Sequence, residues 1–198
     1  MESQTQSPLR AICVFCGSAD GGDPAFAHSA RALGKALAQA GIRLVYGGGN
    51  SGLMGEVARS ALQHGGHVTG IIPEFLKARE LMLKGAQEMI VVPDMHARKM
   101  LMFEHSDAFI ALPGGIGTLE ELFEQMTWAQ LDRHVKPVLI ANIAGFWNPL
   151  LALIDHVRDC GFIRQGLEAR HLVASHVEEI IPMLHRAMPA GRALVAAG

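Results

Sequence analysis

The chain has 198 residues and a formal net charge of −2, from 17 basic and 19 acidic side chains. Hydrophobic residues make up 49% and charged residues 18%, which supplies a packed core and excludes a disordered chain. The near-neutral balance leaves no basic footprint for nucleic acid, three cysteines are too few for a disulfide framework, and no run of about 18 apolar residues offers a membrane span.

Residues 1–8 are polar and lack a basic-plus-apolar leader pattern. Residues 11–15 (AICVF) read as a buried strand. Residues 24–40 read as a helix, with Asp23 as N-cap, Pro24 at the first helical position and Gly41 as the stop. A strand at 42–46, a helix at 52–63 and a strand at 67–72 follow, then an irregular stretch over 73–87. Residues 88–92 read as a strand, 95–106 as a helix capped by Asp94, and 108–112 (AFIAL) as another buried strand. An amphipathic helix is predicted over 118–131, a strand over 137–141, a helix over 148–160, a short strand over 172–174 and a last helix over 177–187. Short apolar strands alternating with helices of ten or more residues imply βαβ units. The expected fold is α/β, a parallel sheet with helices on both faces, in a single domain over 9–187 with flexible tails at 1–8 and 188–198.

Three glycine-rich loops each follow a predicted strand directly: 16–22 (CGSADGG), 47–55 (GGGNSGLMG) and 113–121 (PGGIGTLEE). In a parallel sheet all three emerge at the carboxyl edge, where ligands bind. Glycine loops that lead into helices expose backbone N–H groups, and the helix dipole adds positive potential, which together suit a phosphate. The bland alternative is that the glycines only make tight turns. Neither the dinucleotide fingerprint G-x-G-x-x-G nor the Walker pattern is present after strand one.

Arg98 and Lys99 fall near the start of the helix opened by Asp94, where cations oppose the dipole. That placement fits two side chains facing an anion or a carboxylate, or simply extending into water. Thr118-x-x-Glu121 has the spacing of a capping box, which would make Glu121 structural. A carboxylate near a helix start and near Arg98 also stays ionised. It then suits stabilising an oxocarbenium ion, attacking the anomeric carbon or orienting a water, as in glycoside cleavage.

The combination of GGG-x-x-GLMG (47–55), D-M-H-x-R-K (94–99) and P-G-G-x-G-T-x-E-E (113–121), with TWAQL (127–131) and KPV (136–138), resembles the LOG family of cytokinin riboside 5′-monophosphate phosphoribohydrolases, often labelled lysine decarboxylases. The resemblance runs from about residue 12 to about 181. It implies a Rossmann-like fold, a homodimer, and hydrolysis of a purine riboside monophosphate to free base and ribose 5-phosphate; the sparse, odd cysteine count suits a reducing compartment, so the expected location is cytoplasmic, and no cofactor or metal is expected. The resemblance further implies catalytic roles for Arg98 and Glu121, and substrate contacts from Ser18, Gly47, Gly48, Gly49, Glu80, Lys99, Gly114, Gly115, Ile116, Gly117, Thr118 and Thr127. Ile116 stands where many plant members carry an aromatic residue, which leaves the base open between an N6-prenylated adenine and plain adenine.

Other readings are weaker. Cys13 and Cys16 form C-x-x-C, but period-2 alternation sends them to opposite faces of a strand, against a metal or redox pair. His96 and His105 are nearer to bystanders than to ligands, and Met100, Met102, Phe103, Met126 and Trp128 read as core or dimer interface. No lysine sits in the context that a pyridoxal Schiff base needs. The rival classes are a nucleotide-binding module without turnover and a Rossmann oxidoreductase.

Overall fold

The structure is a computed structural model, and it describes residues 8–77, 82, 83, 85–163 and 171–189. The strands are β1 (Ala11–Phe15), β2 (Arg43–Tyr46), β3 (Val68–Pro73), β4 (Glu88–Val92), β5 (Ala108–Ala111), β6 (Val138–Ala141) and β7 (Leu172–Ala174). The helices are α1 (Pro24–Gln39), α2 (Gly52–Gln63), α3 (Met95–Glu104), α4 (Ile116–Gln130), α5 (Asn148–Asp159) and α6 (Val177–Ala187), with 3-10 turns at Glu74–Leu76 and Ile143–Gly145. The strands form one sheet in the order β4-β3-β2-β1-β5-β6-β7, and every pair is parallel. The expected α/β architecture is therefore present, and most element ends lie within two residues of those read from the sequence.

Alternation along the strands divides the core into two layers. Ile12, Val14, Leu44, Tyr46, Ile110 and Leu139 face α1, α2 and α6. Ala11, Cys13, Phe15, Val45, Phe109 and Ile140 face α3, α4 and α5. Helices thus cover both faces, as buried parallel strands require. The start of α1 is fixed as its sequence predicts: Asp23 accepts a hydrogen bond from Ala25 N at 2.8 Å, and Pro24 opens the helix. Gly41 ends it with φ of 67°, a left-handed turn that favours glycine.

The strand order reverses at β1. The first four strands run outward from β1 on one side, and β5 then pairs with β1 on the other. Helix α3 is the crossover that brings the chain back from the outer edge at β4, past β3 and β2, to the middle of the sheet. This reversal opens a crevice between the loops that follow β1 and β5, the place where open α/β sheets bind ligands. The tails expected at 1–8 and 188–198 lie, apart from residues 8, 188 and 189, outside the described residues. Among the described residues no helix is long and apolar enough to cross a membrane.

Candidate active site

The three glycine loops converge. Gly17 N–H donates to Pro113 O at 3.0 Å, which joins the loop after β1 to the loop after β5. Met54 N–H donates to Gly17 O at 3.2 Å and draws the start of α2 against the first loop. A methyl group at Gly114 would stand 2.9 Å from Gly17 N and collide with the Thr118 side chain, so the two backbones approach too closely for any other residue. Arg59 braces the second loop from α2, donating through Nη1 to Asn50 O at 2.7 Å and to Asn50 Oδ1 at 2.6 Å.

Between the loops lies a cleft of about 220 Å³. Gly17 and Ser18, Gly47, Arg98, residues 115–118 and Glu121 line it, together with Val14, Cys16, Met54, Met95 and Glu120. Helix α4 begins here at Ile116, with Gly115 as N-cap and no side chain capping it. Its first N–H groups therefore have no partner within the helix and open at an end that carries partial positive charge.

This helix start corrects the capping-box reading. Thr118 is the third helical residue and not the cap, so Glu121 lies three residues further in than an N3 glutamate would. Glu121 is 8% exposed and turned toward Arg98, which is 6% exposed. The Arg98 Nη2 to Glu121 Oε1 distance is 3.6 Å. A buried carboxylate and a buried guanidinium compensate each other's charge. Arg98 also reaches the Met95 sulfur at 3.7 Å through Nη1, and its buried Nε has no hydrogen-bond partner. Gly47 makes room for this arrangement, because a methyl group there would collide with the Arg98 guanidinium. The expected N-cap of α3 is present, with Asp94 Oδ1 accepting from Ala97 N at 2.8 Å.

The other expected site residues fall differently. Gly48 and Gly49 are buried within the second loop and do not line the cleft. Gly114 lines an adjoining recess of about 270 Å³ that is walled by Phe26, Leu53 and Phe146. Lys99 points at α4, where its Nζ meets Glu120 and Glu124. Thr127 is exposed, six residues beyond Glu121 and about 9 Å further along the helix axis. Glu80 lies outside the described residues. His96 and His105 do not line the cleft, and no described lysine does.

Met54 and Met95 line the cleft without having been singled out from the sequence. Their signal was position, in the first turn of α2 after the second glycine loop for Met54 and at the start of α3, one turn before Arg98, for Met95. Cys13 and Cys16 do face opposite layers. Burial, with Glu121 adding to it, pushes both thiols well above their usual range, so both stay protonated. Among the described residues no three His, Cys, Asp or Glu side chains gather as a metal site.

A family model described as "possible lysine decarboxylase" matches residues 54–184. The chain is 47% identical over 188 residues to the cytokinin riboside 5′-monophosphate phosphoribohydrolase LOG3 of Arabidopsis thaliana, covering 95% of this chain and 87% of that one. It is 48% identical over 186 residues to the probable phosphoribohydrolase LOGL2 of Oryza sativa subsp. japonica, covering 93% and 75%. Among solved structures, the molybdenum cofactor carrier protein of Chlamydomonas reinhardtii superposes with a TM-score of 0.67 at 22% identity, covering 91% of this chain and 98% of that chain. The molybdenum cofactor binding protein of Rippkaea orientalis gives 0.66 at 22% identity, covering 89% and 96%. Those two likenesses are of fold alone. With the family model matching about two thirds of the chain and relatives 47–48% identical over more than nine-tenths of it, this chain belongs to the family of the cytokinin riboside 5′-monophosphate phosphoribohydrolases.

Proposed function

We propose that the chain hydrolyses the N-glycosidic bond of a purine riboside 5′-monophosphate with a cytokinin-type, N6-substituted adenine, releasing the free base and ribose 5-phosphate. The observation that carries this reading is the Arg98–Glu121 pair, held at 3.6 Å in the wall of a cleft that the uncapped start of α4 also lines. The N–H groups of residues 116–118 and the Ser18 hydroxyl take the 5′-phosphate, as helix starts take anions. Gly47 lets the guanidinium sit close to the sugar. Glu121 faces C1′ and stabilises the positive charge that develops there as the base departs, or orients the attacking water. Arg98 compensates the carboxylate and offers its unpartnered Nε–H to the ribose or the phosphate.

A homodimer in the cytoplasm belongs to the same reading. Met100 on α3, Phe123 on α4, and Leu131 and Val135 just beyond α4 are exposed apolar side chains, of the kind a second copy covers. Thr127 is exposed on the same helix. The three cysteines are free thiols, which suits a reducing compartment.

The test is to incubate the pure protein with isopentenyladenosine monophosphate and with AMP, and to follow free base and ribose 5-phosphate by chromatography. Release of base in step with ribose 5-phosphate supports the proposal, and the ratio of the two substrates reports base preference. Tight nucleotide binding with no base released would replace the hydrolase with a binding module.

A further inference from the structure

Residues 47–52 of the second glycine loop place only Gly47 in the wall of the cleft, yet they touch two groups that line it. At the start of this stretch, Gly47 lies against the Arg98 guanidinium, where a methyl group would collide with Nη2. Gly48 O accepts from Leu83 N–H at 3.2 Å. At the end, Gly52 has φ of 56°, and a methyl group there would strike the backbone of Ser18 and Ala19 in the first loop. A shift of this short loop is therefore felt by Arg98 on one side and by Ser18 on the other.

The middle of the loop is held by a guanidinium. Arg59, about two turns into α2, donates through Nη1 to both oxygens of Asn50, the carbonyl at 2.7 Å and Oδ1 at 2.6 Å. Two of the first N–H groups of α2 are engaged elsewhere, Met54 N–H by Gly17 O and Gly55 N–H by Ser51 O. Gly55 opens the path across the first turn, because a methyl group there would collide with Asn50 O and with Arg59 Nη1. Glu56 takes the other nitrogen, Nη2, at 2.7 Å, and Arg31 Nη1 on α1 meets the same carboxylate at 2.6 Å. Arg31, and Arg59 after it, hold the Glu56 carboxyl below its usual range. Glu56 thus fixes one nitrogen of the guanidinium and leaves the other to Asn50.

We infer that Arg59 is a positioning residue for the proposed hydrolysis: its grip on Asn50 keeps residues 47–52 in the form that lets Arg98 stand beside Glu121. Arg59 does not line the cleft, so it acts through the loop and not on the substrate. The assignment rests on the proposed hydrolase reading. The Arg59 side chain is 39% exposed, and an ion pair so open to water adds little to global stability, which makes a loss of rate separable from a loss of fold.

The test uses Arg59→Met, Arg59→Lys and Glu56→Gln, each checked for a cooperative melt. Arg59→Met keeps an apolar stem and removes the donors to Asn50. It is expected to lower kcat by about tenfold with a smaller change in KM, because a displaced Arg98 costs rate before binding. Arg59→Lys, whose ammonium can still donate to an Asn50 oxygen but lacks the planar fork, restores part of the loss. Glu56→Gln loosens the same ion pairs, leaves the Asn50 contacts in place and keeps kcat within about threefold. Amide hydrogen exchange, which needs no turnover, should quicken at residues 48–51 in Arg59→Met and not in Glu56→Gln. Arg59→Met with kcat within about threefold of the unsubstituted protein would overturn the inference, as would unchanged exchange at those amides. An equal loss of kcat in Glu56→Gln would assign the effect to the ion-pair network and overturn it too. Absence of base release from the unsubstituted protein would strike the hydrolase reading, and hydrogen exchange would still decide whether Arg59 holds the loop.

Discussion

Glu121→Gln keeps the shape of the side chain and removes its charge. At the 3.6 Å separation from Arg98, with an effective dielectric of about 20, the attraction lost is about 4.6 kcal/mol at most, because the open cleft screens it further. Removing one partner of a buried ion pair costs about 3–5 kcal/mol. The separation is longer than a hydrogen bond, which places this variant at the low end, about 3 kcal/mol, or a fall in Tm of about 6–12 °C for a chain of this size. Turnover should suffer more. A carboxylate that acts on the developing charge at C1′ contributes about 10²–10⁴ in kcat, equivalent to about 2.7–5.4 kcal/mol in the barrier. The assay is base release from isopentenyladenosine monophosphate at saturating substrate, alongside calorimetry of the same samples. A variant that melts lower but turns over within about threefold of the unsubstituted protein would show that Glu121 is there for structure, and the reasoning from charge at the sugar would fail.

Gly47→Ala places a methyl group against the Arg98 guanidinium and should lower kcat by about tenfold or more while circular dichroism stays unchanged, since the clash is with a side chain and not with the sheet. Gly34→Ala tests the packing of α1 on α2, where the added carbon would lie 2.9 Å from Ala61 N and strike Val57 O; an overpacked contact should cost about 1–3 kcal/mol in thermal unfolding, away from the cleft. His134 lies against the rings of Phe103 and Phe109, accepts from Lys136 N–H at Nδ1 and reaches Gln125 O through Nε2. Burial, with Lys136 nearby, holds its pKa below the usual imidazole range. The folded protein therefore binds the proton less readily than the unfolded chain, so stability falls as pH drops below the unfolded value of about 6.5 toward the folded one, and His134→Gln should remove that part of the pH dependence in chemical denaturation.

Much of this was legible in the sequence for identifiable reasons. The strands are short and apolar, the helices are long, and Asp23, Pro24, Gly41 and Asp94 carry local start and stop signals that the fold obeys. The start of α4 was misread because Thr118 is a good capping residue by type, whereas the helix begins on Gly115, whose lack of a side chain leaves the first N–H groups open. The placement of Glu121 follows from that shift of register. The contacts of Lys99 with Glu120 and Glu124 were not legible, because they depend on how two helices separated by a strand and a loop lie against one another. The strand order was likewise hidden, since a βαβ pattern gives parallel pairing and not the side on which the next strand is laid.

The path of α3 has a consequence for how this protein comes into being. A growing chain that has reached Val92 owns two of the glycine loops and four strands, and neither member of the Arg98–Glu121 pair. The guanidinium comes within reach of its carboxylate only when β5 has zipped onto β1 and α4 has wound behind it. Recognition of a nucleotide is thus a late event in maturation, and a bound phosphate would act as a clasp between the earlier and later halves of the sheet, raising the energy needed to pull them apart.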